Sequence, residues 1–543
     1  MTKFKIKLLP LTSILLSILF LLLFFAPISN VKAAEKTVLN VFSWEDYIDE
    51  DLIGEFEEEY PNIDLNYYTF ATNEEMYNEV VKNPKSCDVL CPSEYMILKM
   101  KQENLIKPYQ MPSVYNEYAS PYIKEVFESL GLNNADGTTY ATGYMWGTMG
   151  FIYNMDAVDV EDISSWKGLL DKKYKNKSTI KDSLRDTYIL ALGILYEEEL
   201  LQAKNLPEEE YKAKVFEIFN RKDPETIEKA TEILLELKSN LYGFEVDSGK
   251  SDILTGKITI NFAWSGDAAY SIFEADESSS DIRLGYVVPE EGSNVWFDGW
   301  VMTKNANEDA SSKFINFISK PENAVRNISY VGYTSCIAGQ DVFDYAVECY
   351  GADYFPYAQI EQEEYNSLLA SEKRDYVAFD GGYALKDDGY GELVEINGEY
   401  KCQLFHLDDN ANRVDDEIVE VYEVNLKYFF DPTCQDDTYV IYSREQGRAL
   451  YAQYADEETI MRCAVMDTFS QEDLNALNEM WNTVKLITLS TAEIIVIVAI
   501  MVLVIAGVVI FGKRDKIFSK SYSAQKETHD KKGNKILKIE NID

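Results

Sequence analysis

The sequence predicts an α/β protein of two lobes, preceded by a secretory signal and followed by one membrane-spanning helix. Three observations lead there. A strand and helix alternation opens the chain and returns in its middle. The stretch between the two ends, about 450 residues, is too long for one hydrophobic core. Each end carries a long apolar run.

Lys3, Lys5 and Lys7 precede an apolar run from Leu8 to Phe25, and small residues follow up to Val31-Lys32-Ala33-Ala34. That order makes residues 1–33 a signal peptide with cleavage after Ala33; an uncleaved anchor is the competing reading, because the run is long for a signal. Then Val38 to Phe42 reads as a strand, Leu52, Ile53, Phe56 and Tyr60 form a helical stripe, and Ile63 to Thr69 is a second strand. Thr72-Asn73-Glu74-Glu75 is a capping box opening a helix with Met76 and Val80, and Asp88 to Cys91 is a third strand. This β-α-β-α-β order is that of a mostly parallel sheet with covering helices. The pattern returns as a strand over Ile258 to Trp264, a helix over Gly266 to Ala275 and a strand over Arg283 to Val288. Helices follow over Asp309 to Ser319, from Pro321, and after Ser470. Residues 340–450 are acidic and tyrosine-rich, with β-like pieces and no motif.

Ile494 to Gly512 is free of charge and long enough at ~1.5 Å per residue to cross a bilayer core, so residues 487–512 are expected to be a transmembrane helix. A buried core helix is the alternative. Lys513, Arg514, Lys516 and Lys520 place the tail, residues 513–543, on the cytoplasmic side. The expected location is therefore the cell membrane, single-pass, with the folded part outside.

The formal net charge is −42, and each end carries a net positive charge, so the middle is more acidic still. Nucleic acid is excluded as a partner, since a polyanion needs a basic footprint. An acidic surface concentrates cations, although solubility alone also explains it. Only two histidines exist, His406 and His529, which leaves little room for His-based triads or His-rich metal sites. No cofactor and no metal are expected, and the chain reads as a non-enzyme. A paired-carboxylate hydrolase is the enzymatic alternative, because acids abound. The seven cysteines are odd in number and lack Cys-x-x-Cys spacing; they read as buried thiols, with one or two long-range bridges open.

In open α/β sheets, ligands bind beyond the carboxyl ends of strands. The residues there are Ser43-Trp44-Glu45-Asp46-Tyr47, Pro92-Ser93-Glu94-Tyr95, Ser265-Gly266-Asp267 after Trp264, and Val295-Trp296-Phe297-Asp298-Gly299-Trp300. Each turn supplies an aromatic ring, a carboxylate, or both. Carboxylates meet ammonium groups whose unpaired desolvation costs several kcal/mol. Aromatic faces cover methylenes and attract cations at ~0.5–2 kcal/mol per contact. Taken singly the residues are weak signals: Trp264 reads as a core tryptophan and Asp267 as a helix cap.

In this order along the chain, Phe42-Ser43-Trp44-Glu45-Asp46-Tyr47, Val89 to Tyr95, Asp182-Ser183-Leu184-Arg185-Asp186, Ala263 to Asp267, Trp296-Phe297-Asp298 and Gly332-Tyr333 resemble the spermidine/putrescine-binding proteins of ABC importers. The resemblance covers about residues 37–340 and 439–485. It implies the two-lobed type II periplasmic-binding fold. Residues 34–145 and 297–335 would form lobe 1, and residues 146–296 and 336–485 lobe 2, with 340–450 as extra material. The lobes would be joined by strands crossing near Tyr144 to Thr148 and Glu291 to Trp296.

The resemblance further implies an aromatic box of Trp44, Tyr47, Tyr95, Trp264, Trp296 and Tyr333, with Ser93 adding a hydrogen bond. Asp46, Asp182, Asp186 and Asp298 would meet ammonium groups, and Glu45 would add a carboxylate or face solvent. Asp247 or Ser248 would lie nearby. The implied partners are a polyamine, spermidine or putrescine, and ABC permease subunits with a cytoplasmic ATPase, beside the membrane through the C-terminal helix. No counterpart of the family's pocket-closing glutamine is evident around Cys463 to Met466, which leaves spermidine against putrescine open. A ligand-sensing or adhesion module on the same fold is the non-transport alternative.

Overall fold

Strand Thr37–Trp44 buries every second side chain, Leu39, Val41 and Ser43, as a period of two requires of a strand covered on one face. It pairs in parallel with Ile63–Phe70 along its whole length and with the short strand Val89–Leu90. The connections are helices Asp51–Glu59, which buries Leu52 and Phe56, and Asn73–Lys82, which buries Met76 and Val80. The expected capping box is present: Glu75 N–H donates to Thr72 Oγ1 at 3.1 Å, and the Glu75 carboxylate returns to Ala71 N–H at 3.2 Å. The computed structural model describes residues 36–278, 282–351 and 390–486 except 409 and 445, with the shorter pieces 362–370, 373, 376–379 and 382–385.

Two long strands dominate the centre. Thr142–Asn154 is buried along all but its last residue, and Ser293–Thr303 runs antiparallel to it, Val295 opposite Thr148 and Trp300 opposite Thr142, with a bulge between Asp298 and Gly299. The register of each strand changes partners along its length. At one end Val301 and Met302 pair with Leu90 and Val89. At the other end Met149 to Tyr153 pair with Trp264 to Ile260, and Phe151 to Asn154 with Val287 to Leu284. One sheet therefore runs through both α/β lobes, in the order 63–70, 37–44, 89–90, 293–303, 142–154, 260–264, 178–181, 243–245.

Helices cover both lobes. Glu308–Ile318 packs Phe314 against Phe56 and Trp300, ring centres 5.7 and 5.3 Å apart. Helix Leu184–Leu195 is buried along most of its length, and Ser265–Glu277 buries Ala268, Ala269 and Ile272. Helix Pro321–Val331 stops at Gly332, whose φ of 80° is a left-handed cap that glycine adopts without Cβ strain; Tyr333 follows at once.

The region 340–450 is structured where it is described. Tyr390–Ile396, Glu399–Leu407 and Arg413–Glu420 form a separate three-stranded antiparallel sheet around a small core of Tyr390, Phe405 and Leu407. Strand Tyr422–Asn425 pairs with Val440–Ser443, and Phe429 stacks on Trp146 at 5.2 Å. All seven cysteines are free thiols, with Cys87, Cys91, Cys336 and Cys402 buried. Residues 481–543 separate as a second unit, described only over 481–486, the end of helix Gln471–Lys485.

The expected membrane anchoring is corrected. No helix among the described residues is long and apolar enough to cross a membrane. The signal peptide, residues 1–33, the expected span over 487–512 and the tail over 513–543 lie outside the described residues. The architecture is accordingly a two-lobed α/β fold without an assigned membrane helix, and the single-pass membrane location is not retained.

Candidate functional site

Asp298 sits opposite Met145 in the ladder of the two central strands, 5% exposed, beside the bulge that interrupts it. Its carboxylate accepts two hydroxyl donors, Tyr47 OH to Oδ2 and Ser93 Oγ to Oδ1, each at 2.7 Å. No cation pairs with it among the described residues. Burial therefore pushes its pKa up to about 6, with the Tyr47 and Ser93 hydrogen bonds pulling the other way.

Each partner is placed by its own element. Tyr47 follows the turn after strand Thr37–Trp44, in which Asp46 takes a left-handed φ of 51°. Its ring is fixed against Tyr144, 5.5 Å between centres, and its carbonyl accepts from Tyr144 OH at 2.7 Å. Ser93 opens helix Glu94–Gln102 and bridges to Asp298 as an isolated antiparallel pair. Asn73 braces this corner: its side chain donates to Ser93 Oγ at 3.1 Å and to Tyr95 OH at 2.9 Å, and accepts from Ser93 N–H at 3.2 Å.

Aromatic rings extend from this centre. Tyr333 lies edge-on to Tyr47, 6.1 Å between centres, and to Trp296, 5.3 Å. Close packing is enforced by Gly266, where an added Cβ would fall 1.4 Å from Tyr333 Cδ1. Trp44 is partly buried against Phe70, ring centres 4.7 Å apart, and flanks the core cluster that contains Tyr47 and Tyr144. The indole N–H groups of Trp44 and Trp296 are buried and meet no acceptor among the described residues.

The second end of the cluster is built differently. Tyr333 OH donates to Asp267 Oδ1 at 3.3 Å. Asp267 does not cap its helix; its carboxylate faces Lys181 Nζ at 2.9 Å and Lys250 Nζ at 3.4 Å. Lys181, 1% exposed at its side chain, also reaches Glu245 at 3.2 Å and donates to the Val246 carbonyl at 2.8 Å. Its ammonium lies 4.3 Å from the centre of the Trp264 ring. Burial alone would lower the lysine pKa, but Asp267 and Glu245 outweigh it and hold the value above the usual one.

The expected residues thus divide. Tyr47, Ser93, Asp298, Trp296 and Tyr333 are joined by contacts, and Trp264 joins them through Lys181 and Asp267. Tyr95 touches the centre through Asn73, but its ring is faced by the Arg185 guanidinium at 3.5 Å, which also lies 4.3 Å from Phe469. Asp186 is buried, with its pKa raised to about 6 by burial. Glu45, Asp46 and Asp182 are exposed.

Sequence reasoning did not single out Asn73, Glu94, Lys181, Arg185 and Glu245. Glu94 is 1% exposed, accepts weakly from Phe297 N–H at 3.3 Å, and is pushed up by burial to about 8. The available signal was positional: Glu94 and Arg185 stand inside turns already quoted. No group of acids, cysteines or histidines suited to a metal occurs among the described residues.

A buried acid held by hydroxyls beside aromatic rings, on a sheet that runs through two α/β lobes, is an arrangement suited to holding a small solute. Residues 51–341 match the family described as bacterial extracellular solute-binding protein, and the chain belongs to it. The fold is the type II solute-binding fold related to that of spermidine/putrescine-binding proteins. The chain is 27% identical over 308 residues to the spermidine/putrescine-binding periplasmic protein of Salmonella typhimurium, covering 56% of this chain and 79% of that protein. It is 25% identical over 318 residues to the putrescine-binding periplasmic protein PotF of Escherichia coli, with the same coverage. A solved chain from Listeria monocytogenes shares the fold with a TM-score of 0.51 at 24% identity, covering 83% of this chain and 99% of that one. Members of the family bind solutes without catalysis, and this chain is a binding protein, not an enzyme.

Proposed function

We propose that the protein captures a polyamine at the Asp298 centre and delivers it to an ABC permease. The observation that carries the reading is a buried carboxylate that, among the described residues, is held by the neutral donors Tyr47 and Ser93 and pairs with no cation. A buried carboxylate of this kind gains most from a charged hydrogen-bond donor. An ammonium group supplies that charge, and the rings of Trp44, Trp296 and Tyr333 supply faces for the methylenes and the positive charge. Asp186 is another buried acid whose pKa burial raises, to about 6. A polyamine offers no acceptor to the Trp44 and Trp296 indoles, for which ordered water is the natural partner.

In this reading residues 34–145 with 297–335 and residues 146–296 with 336–485 act as the two lobes, and the paired strands 142–154 and 293–303 are the hinge. Glu45, Asp46 and Asp182, exposed in the structure, serve as an acidic approach to the cleft and not as the grip on the bound charge. The test is calorimetry on the purified protein with putrescine, spermidine, basic and neutral amino acids, and sugars. Binding of a polyamine at micromolar affinity or better, about −8 kcal/mol, is expected. Binding of a sugar or a neutral amino acid with no response to either polyamine sinks the reading.

A further inference from the structure

The Trp264 end of the cluster already contains an alkylammonium, and it belongs to the protein. Lys181 extends a four-carbon chain from the last residue of strand Ser178–Lys181, and its side chain is 1% exposed. Its charge rests between Asp267 at 2.9 Å and Glu245 at 3.2 Å, against the Val246 carbonyl at 2.8 Å and over the Trp264 ring at 4.3 Å. Two carboxylates, a carbonyl and an aromatic face are what a bound primary amine requires. The Asp298 end has the acid and the rings but, among the described residues, no such cation. Tyr333 joins the two ends, with its hydroxyl on Asp267 and its ring against Trp296 and Tyr47.

We propose that Lys181 is a specificity-determining residue: its side chain fills the Trp264 and Asp267 end of the site, so that the protein selects a short diamine over a longer triamine. This rests on the polyamine reading of the Asp298 centre. A third ammonium has to displace Lys181 or stop short of Asp267. Displacement leaves a charged lysine without its two acids in a dry site, which is costly. A diamine needs neither. Lys250, at 3.4 Å from Asp267 Oδ1, reinforces the exclusion, since it brings a second positive charge to the same carboxylate.

The experiment measures putrescine and spermidine binding by the full chain and by Lys181→Met, which keeps an unbranched side chain one atom shorter and removes its charge. Expected are a preference of the wild type for putrescine and, in the variant, a rise of roughly tenfold or more in the ratio of spermidine to putrescine affinity. A ratio that stays within about twofold of the wild type overturns the assignment. Should Lys181→Met not fold alone, its thermal unfolding is followed with each amine added. Recovery of a cooperative transition by spermidine and not by putrescine supports the proposal, and failure of spermidine to restore it overturns it. A wild-type protein that folds but binds neither amine removes the polyamine reading itself, a result distinct from an unchanged ratio.

Discussion

Asp298 and Asp267 are two buried aspartates, 5% and 4% exposed, on the same run of touching side chains, yet they are satisfied in opposite ways. Asp267 is surrounded by charge: Lys181 and Lys250 pair with it and Tyr333 donates to it. Asp298 is surrounded by dipoles: Tyr47 and Ser93 donate, and burial raises its pKa to about 6. The difference teaches that burial of an acid does not mark a ligand contact; the identity of its partner does. Asp267 is part of the fold's own bonding, whereas Asp298 is the acid that the proposed reading assigns to a ligand ammonium.

The contrast is broken most forcefully at Lys181. Lys181→Ala removes the buried cation that Asp267 and Glu245 share, and a loss of about 3–5 kcal/mol of stability is expected in chemical denaturation without ligand. A loss below 1 kcal/mol, on the scale of a solvent-exposed pair, would show that Asp267 and Glu245 are not held by this lysine. At the other acid the effect falls on ligand instead. Asp298→Asn is expected to weaken polyamine binding by about 2–5 kcal/mol, and calorimetry showing unchanged affinity would remove Asp298 from the site. Tyr47→Phe takes one donor from that carboxylate; about 1.5–3 kcal/mol of binding should be lost, with the fold retained by circular dichroism.

The smallest and most diagnostic effect is that of pH. Without ligand the raised pKa of Asp298 means that the folded state binds more protons than the unfolded one between the ordinary carboxylate range and about 6. Its contribution to stability is therefore present at low pH and falls away as pH rises through about 6. A bound ammonium needs the ionised form, so affinity should move oppositely: level above about pH 7 and falling by about tenfold per pH unit below 6 for each proton taken up. Asp186, raised to the same range, adds a second proton if it too meets the ligand. A flat profile in wild type, or an unaltered slope in Asp298→Asn, would separate this acid from recognition.

The fold was legible where local pattern and tertiary burial agree. Thr37–Trp44 alternates in sequence and in the structure, and Thr72 with Glu75 announces its helix by chemistry that is complete within four residues. The inserted sheet was less legible, because strand Arg413–Glu420 is exposed along nearly all its length and so carries no hydrophobic period. At the site, aromatic and acidic turn residues announced Tyr47, Ser93, Trp296 and Asp298. Glu45 and Asp46 have the same composition but stand on the outer side of the turn. Lys181 was hidden for a physical reason: its partners lie 64 and 86 positions farther along the chain, and a lysine at a strand end reads as solvent-facing until those strands are assembled. Asp267 looked like a helix cap for the same reason. The membrane helix was inferred from composition alone, and no described helix has that character.

The bulge between Asp298 and Gly299 deserves its own consequence. A bulged ribbon is already locally overtwisted, and it is where a two-stranded ladder yields first. In the proposed reading the carboxylate that meets the ammonium stands on that bulge, so loading it would bear directly on the twist of a long ribbon shared by the two lobes. Capture and bending would then fall on one stretch of peptide, and on that reading closure needs no relay.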